Sequence, residues 1–173
     1  VDELTRLLLE ARAGDRRALT VWVRRSQTEV WRLCSALVDV DEADDLTQET
    51  FLRAYRALAW YRGDASGRTW LLSIARRVCA DAIRLRTRQR RLQSKIAEPE
   101  GVSDGGWAEV DDMLGTLDSD QRLAFVLTQL IGLTYAEAAD VAGCAVGTIR
   151  SRVARARTEL VAALDEGESE KTL

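Results

Sequence analysis

Apolar residues recur at helical spacing along most of the chain and nowhere alternate with polar ones for long enough to suggest a strand. Leu4, Leu7, Leu8 and Ala11 mark a short amphipathic helix that Gly14 can end. Asp15 has the chemistry of an N-cap for a longer helix carrying Leu19, Trp22, Val23, Val30, Leu33 and Leu37. A third helix runs from about Asp41 to Leu58, with Ala43, Leu46, Thr50, Phe51, Ala54 and Leu58 turned inward. A polar turn over residues 61–67 leads into a long helix from about Arg68 to Leu92. That helix is apolar early (Trp70, Leu71, Ile74, Val78) and almost wholly basic late. Trp107, Val110, Met113 and Leu114 predict another short helix. Asp118 with Gln121, and Thr134 with Glu137, have the spacing of capping boxes for helices ending near Gly132 and at Gly143. A last helix runs from about Ala145 to Leu164.

One stretch breaks this pattern. Residues 94–106 hold the only proline, Pro99, with three glycines and little to bury, which is the composition of a flexible linker. It divides the 173 residues into domains at 1–93 and 107–173, the second ending in a polar tail after Glu166. The expected fold class is therefore all-α: two small helical domains, the C-terminal one containing a helix-turn-helix. Apolar residues make up 46% of the chain, enough to give each domain a core. No apolar run approaches the ~18 residues of a membrane span, and charges interrupt the N-terminal stretch from Asp2 onward. Neither membrane insertion nor a secretion signal is expected, and the location this implies is cytoplasmic.

Charge adds what the net value of −3 conceals. Six acids and no base lie between Asp39 and Glu49; nine bases and one acid, Asp81, lie between Arg68 and Lys95. Eight acids and no base follow from Glu98 to Asp120, and four arginines stand alone from Val146 to Arg157. Two basic blocks separated by acidic ones suit a protein that meets nucleic acid at two places. Catalysis finds no support. The chain has no histidine, no phosphate-binding glycine loop and no paired carboxylates in an apolar setting. Cys34, Cys79 and Cys144 are far apart, form no CxxC pair and read as reduced apolar residues. No catalytic residue, metal site or cofactor is expected.

The capped helix at Thr134, the turn Gly143-Cys144-Ala145 and the arginine-rich last helix form a helix-turn-helix candidate. At 100° per residue Val146, Ile149, Val153, Ala156 and Leu160 share one face, leaving Thr148, Arg150, Ser151, Ala154, Arg155 and Thr158 outward. Arginines reach guanine edges bidentately, and small residues let a helix sink into a major groove. In the first domain Asp45, Gln48, Glu49 and Leu52 fall on one stripe at i, i+3, i+4 and i+7.

The stretch from Leu133 to Ala139, followed by Val146-Gly-Thr-Ile-Arg-Ser-Arg152, closely resembles the fourth-region helix-turn-helix of extracytoplasmic-function sigma factors. Asp44-Asp-Leu-Thr-Gln-Glu-Thr-Phe-Leu-Arg-Ala-Tyr-Arg56 resembles that family's polymerase-binding segment, and Tyr61-Arg-Gly-Asp-Ala-Ser-Gly-Arg-Thr-Trp-Leu71 its minus-10 loop. Ala145 replaces a frequent proline, and Gly67 stands where many members carry a larger residue. The resemblance implies that Asp45, Gln48, Glu49 and Leu52 dock on core RNA polymerase. It implies that Tyr61, Arg62, Asp64, Ala65, Ser66, Arg68, Arg76, Arg77 and Arg84 serve the minus-10 element, Tyr61 beside Trp60 offering the aromatic surface for an extruded base. It implies that Thr148, Arg150, Ser151, Ala154 and Arg155 read the minus-35 element of promoter DNA. Family members are usually held by an anti-sigma factor. The competing reading is an ordinary helix-turn-helix regulator whose first 93 residues sense a ligand or dimerise. It leaves the acidic stripe and the loop without a role.

Overall fold

The computed structural model describes residues 2–93 and 113–170, with side chains to 165. The linker at 94–106, Trp107 and Val110 of the short helix, and the tail after Glu166 lie outside the described side chains.

Helix α1 (Glu3–Arg12) starts at Asp2, whose carboxylate caps the Thr5 amide, and Gly14 leaves it with φ +106°. Helix α2 (Arg16–Leu37) starts at Asp15, which accepts from the amides of Arg17 and Ala18. Asp39 caps α3 (Val40–Ala57), so that helix begins a residue earlier than its apolar pattern suggests. A 3-10 turn (Leu58–Trp60) and the 61–66 loop lead into α4 (Gly67–Gln93). In the second domain residues 113–115 are helical, and α5 (Ser119–Phe125) opens with the Asp118/Gln121 capping box. The expected continuation toward Gly132 is not α-helical throughout: Val126–Leu130 form a π-turn. Thr134 and Glu137 make the second capping box, for α6 (Tyr135–Ala142), which Gly143 ends at φ +69°. Helix α7 (Val146–Glu170) extends beyond the expected Leu164.

The core of the first domain gathers Leu8, Trp22, Leu33, Leu71, Leu72 and Val78 from α1, α2 and α4, all essentially without exposure. Phe51 of α3 meets Trp22 edge-on at 5.4 Å. Cys34 and Cys79 are buried and Cys144 is half-buried, all as free thiols. In the second domain Ile149, Val153, Ala156 and Leu160 form the buried stripe of α7 against Val126, Leu127, Ala138 and Val141. Val146 departs from its expected place: at 40% exposed, it lies in the first turn of α7 and outside that core.

The two domains touch. Helix α4 packs on α1, α2 and α3 and also on α6. The Arg68 guanidinium holds the Glu29 carboxylate (2.5 and 2.9 Å) and donates to the Ile131 carbonyl at 2.8 Å. Arg122 donates from Nε to the Ala36 carbonyl at 2.7 Å. Beside Arg122 lies an interdomain cleft of about 370 Å³ lined by Leu37, Arg76, Ile83, Arg90, Leu117 and Leu123 among others.

The inward and outward faces of α7 make opposite demands on substitution. Ile149→Ala leaves a cavity and should cost ~2–5 kcal/mol in chemical denaturation. Arg150→Ala, one residue on and exposed, should change stability by less than ~0.5 kcal/mol.

Candidate nucleic-acid and polymerase interfaces

Helix α7 sorts its four arginines by what they touch. Arg152 is half-buried, ion-paired with Asp120 and 3.7 Å from the Cys144 sulfur. Arg157 donates to Gln129 at 2.9 Å. Arg150 and Arg155 are exposed and have no partner among the described residues. Ser151 and Ala154 are exposed between them, and Thr148 is half-buried at the helix start. Two cations five residues apart rise ~7.5 Å along the axis, with only small side chains separating them on that edge. This is the face that 100° per residue puts outward, and it can enter a groove without first breaking an ion pair.

The 60–67 loop corrects one expectation. Tyr61 is only 3% exposed, with its ring 4.8 Å from Trp70 and its hydroxyl donating to the Ala65 carbonyl at 2.8 Å. Burial pushes the Tyr61 hydroxyl above its ordinary pKa. Of the expected pair only Trp60 offers its ring to solvent, 78% exposed. The 3-10 turn ends at Trp60 and the backbone becomes extended at Tyr61, so neighbouring rings turn opposite ways. Arg62, Asp64 and Ala65 are exposed, and Ser66 receives the Thr69 amide at 3.1 Å. Arg77 is exposed, whereas Arg68 is spent on Glu29 and Ile131, and Arg76 lies half-buried in the interdomain cleft. The basic tail is partly tethered. Arg84 pairs with Asp81, and Arg86 bridges Asp39 and Glu42 at 3.2 and 2.5 Å.

On α3, Asp45 and Gln48 are exposed beside Leu52, which is 52% exposed, while Leu46 and Thr50 turn inward. Glu49 differs from its neighbours: it is half-buried and holds Arg53 at 2.7 Å, and Arg53 also reaches Asp81 on α4 at 2.7 Å. The stripe continues to Tyr55, 63% exposed, which the sequence pattern did not single out. Its position three residues past Leu52 was the available signal. An acid–amide row ending in a leucine and a tyrosine offers both polar and apolar contact to a partner.

Residues 22–90 match the family described as Sigma-70 region 2, and residues 107–160 match Sigma-70, region 4. The ECF RNA polymerase sigma factor SigC of Mycobacterium tuberculosis is 50% identical over 169 residues, covering 93% of this chain and 91% of that protein. The ECF RNA polymerase sigma-E factor of Escherichia coli K12 is 34% identical over 176 residues, covering 90% and 92%. Among solved structures, CnrH in complex with the cytosolic domain of CnrY superposes with a TM-score of 0.76 at 30% identity, covering 95% of this chain and 99% of that one. The sigma factor RpoE in complex with the anti-sigma factor NepR, from Bartonella quintana, gives 0.73 at 27% identity, covering 85% and 96%. The chain belongs to the extracytoplasmic-function sigma factors, which bind core RNA polymerase and direct transcription initiation at specific promoters.

Proposed function

We propose that α7 reads the upstream promoter element, the 60–67 loop captures the downstream one, and the α3 stripe docks on core polymerase in the cytoplasm. The observation that carries the first assignment is the division of labour on α7. Arg152 and Arg157 are tied into the protein, while Arg150 and Arg155 are left free beside Ser151, Ala154 and Thr148. A fold that needed all four for stability would pair all four. Trp60, rather than Tyr61, supplies the exposed π-face on which an extruded base can stack. Arg62 and Arg77 stand exposed to hold phosphates, with Arg84 behind them. Asp64, Ala65 and Ser66 form the polar rim. Asp45, Gln48, Leu52 and Tyr55 make the docking row, with Glu49 fixing Arg53 and through it α4. The chain acts as an initiation factor, with the chemistry left to the polymerase.

The packed arrangement has a consequence for this reading. Elements centred near −35 and −10 lie roughly 25 base pairs apart, about 85 Å of B-DNA at 3.4 Å per pair. Arg68, at the downstream-reading end of α4, is hydrogen-bonded to Ile131 of the upstream-reading domain. Both elements therefore cannot be read until the domains part. Nineteen residues, 94–112, join the described halves, and a chain of that length reaches ~65 Å, which with the length of α4 suffices. We further propose that an anti-sigma factor holds the chain before it meets polymerase. The support is the likeness to RpoE, solved with the anti-sigma factor NepR.

Run-off transcription on single-base variants of the upstream element tests the first assignment. Arg150→Ala or Arg155→Ala should cost ~1–3 kcal/mol at the matched element and less at an altered one. An equal loss on every variant would make these arginines phosphate anchors instead. For docking, Asp45→Arg should abolish association with core polymerase, measured by gel filtration or fluorescence anisotropy, with helicity unchanged because the site is exposed. Association at the parental level would remove α3 from the interface.

A further inference from the structure

Helix α1 lies outside the segment that matches region 2, which begins at residue 22. Nothing assigned so far to docking or DNA reading uses it. Yet it grips the downstream-reading loop at three places. The Arg12 guanidinium donates to the Tyr61 carbonyl at 2.5 Å, where the loop begins. Leu9 packs beneath Gly63, which turns the loop at φ +82°. Where the loop ends, the Gly67 amide donates to the Thr5 hydroxyl at 2.6 Å, and that hydroxyl donates in turn to the Asp2 carboxylate at 2.5 Å.

The third contact is unusually close. A Cβ on Gly67 would stand 2.8 Å from the Thr5 nitrogen and 2.9 Å from the Leu4 carbonyl carbon, both backbone atoms that cannot yield. Glycine at 67 is thus explained by helix α1 and not by the loop's own backbone, which has no positive φ at that residue. The Gly67 amide is one of the first-turn donors of α4 that no α4 carbonyl can satisfy. Thr5, 5% exposed, satisfies it from a different helix. The Asp2 carboxylate aligns the hydroxyl and adds negative charge near the positive end of α4. Burial pushes the Asp2 carboxyl up, but hydrogen bonds from Thr5 and nearby amides outweigh it and hold it below its usual value.

We infer that Thr5 is a positioning residue for promoter opening, with Arg12 as its counterpart at the other end of the loop. Together they fix the span between Tyr61 and Gly67, and so the shape that Trp60, Asp64, Ala65 and Ser66 present to a base. This inference rests on the proposed downstream-reading role of the loop. Thr5 need touch no DNA. It acts by holding both the start of α4 and the close approach of α1.

Promoter opening, followed by permanganate footprinting on a panel of single-base minus-10 variants, tests it alongside core binding. Thr5→Val keeps the side-chain shape but strands the Gly67 amide, so opening on duplex templates should slow about tenfold. The preference among minus-10 variants should flatten, while core binding and dependence on the upstream element stay at parental values. Thr5→Ser should restore opening and preference, and a premelted template should relieve Thr5→Val. Arg12→Met, which removes the pin at Tyr61, should shift the same panel without depending on Thr5. Parental opening and preference in both Thr5→Val and Arg12→Met would overturn the inference, as would failure of Thr5→Ser to rescue. Trp60→Ala separates the two claims. If it changes the panel while both α1 variants do not, only the bracing role falls. If Trp60→Ala leaves the panel untouched, the reading role of the loop falls and takes the inference with it.

Discussion

Helix α4 joins the core of the first domain to the second domain. Its apolar first half buries Leu71, Leu72, Ile74, Ala75 and Val78 among α1, α2 and α3. Its N-terminus ends the 60–67 loop, its C-terminal half carries the basic tail, and one further side packs on α6 of the other domain. In the packed chain a single rod therefore sets where the loop stands relative to the Asp45, Gln48 and Leu52 row of α3 and to the second domain. The ion pairs follow from that arrangement. Glu49 and Asp81 share Arg53 across the α3–α4 junction, and Asp39 and Glu42 share Arg86 further along. Exposed as most of these groups are, each pair contributes modestly. Their effect is to orient two helices whose packing is already secured by apolar burial.

Arginine is the currency of both domains, and its uses separate cleanly by partner. Arg12, Arg53, Arg68, Arg86, Arg122, Arg152 and Arg157 hold carboxylates, carbonyls or an amide within the chain. Arg62, Arg77, Arg150 and Arg155 are exposed without a partner among the described residues. The guanidinium suits the first group because its fork can serve two acceptors at once, as Arg68 does with Glu29 and Ile131. It suits the second because it stays charged and can grip phosphate or guanine. Arg68 links the two uses. It is a promoter-facing candidate by sequence and an interdomain tie in the packed structure.

What the sequence disclosed was whatever depends on neighbours within a turn or two. Asp15, Asp118 with Gln121, Thr134 with Glu137, and Gly143 all cap the helices their spacing indicates. The inward stripe of α7 from Ile149 to Leu160, and the outward set from Thr148 to Arg155, follow the 3.6-residue period. Where that period lapses, legibility lapses with it. Tyr61 is buried while Trp60 stays exposed, against the surface expected of Tyr61, because a 3-10 turn passes into extended chain between them. Val146 escapes the core because it sits in the first turn of its helix. The contacts least legible were the longest in sequence, since no local pattern encodes them: Thr5 to Gly67, Arg68 to Ile131 and Arg122 to Ala36.

The two proposed reading surfaces, α7 and the 60–67 loop, belong to domains that pack together in the free chain and would stand far apart on a promoter. Fluorescence energy transfer between labels at Ala59→Cys and Ala162→Cys, both exposed positions, in a Cys144→Ser background, measures that separation directly. In the free protein the labels should lie within ~40 Å, the diameter of a packed chain of this size. On core polymerase with promoter DNA they should move to ~70 Å or more, approaching the spacing of the two elements. A distance that stays within ~40 Å in a transcriptionally competent complex would contradict the account.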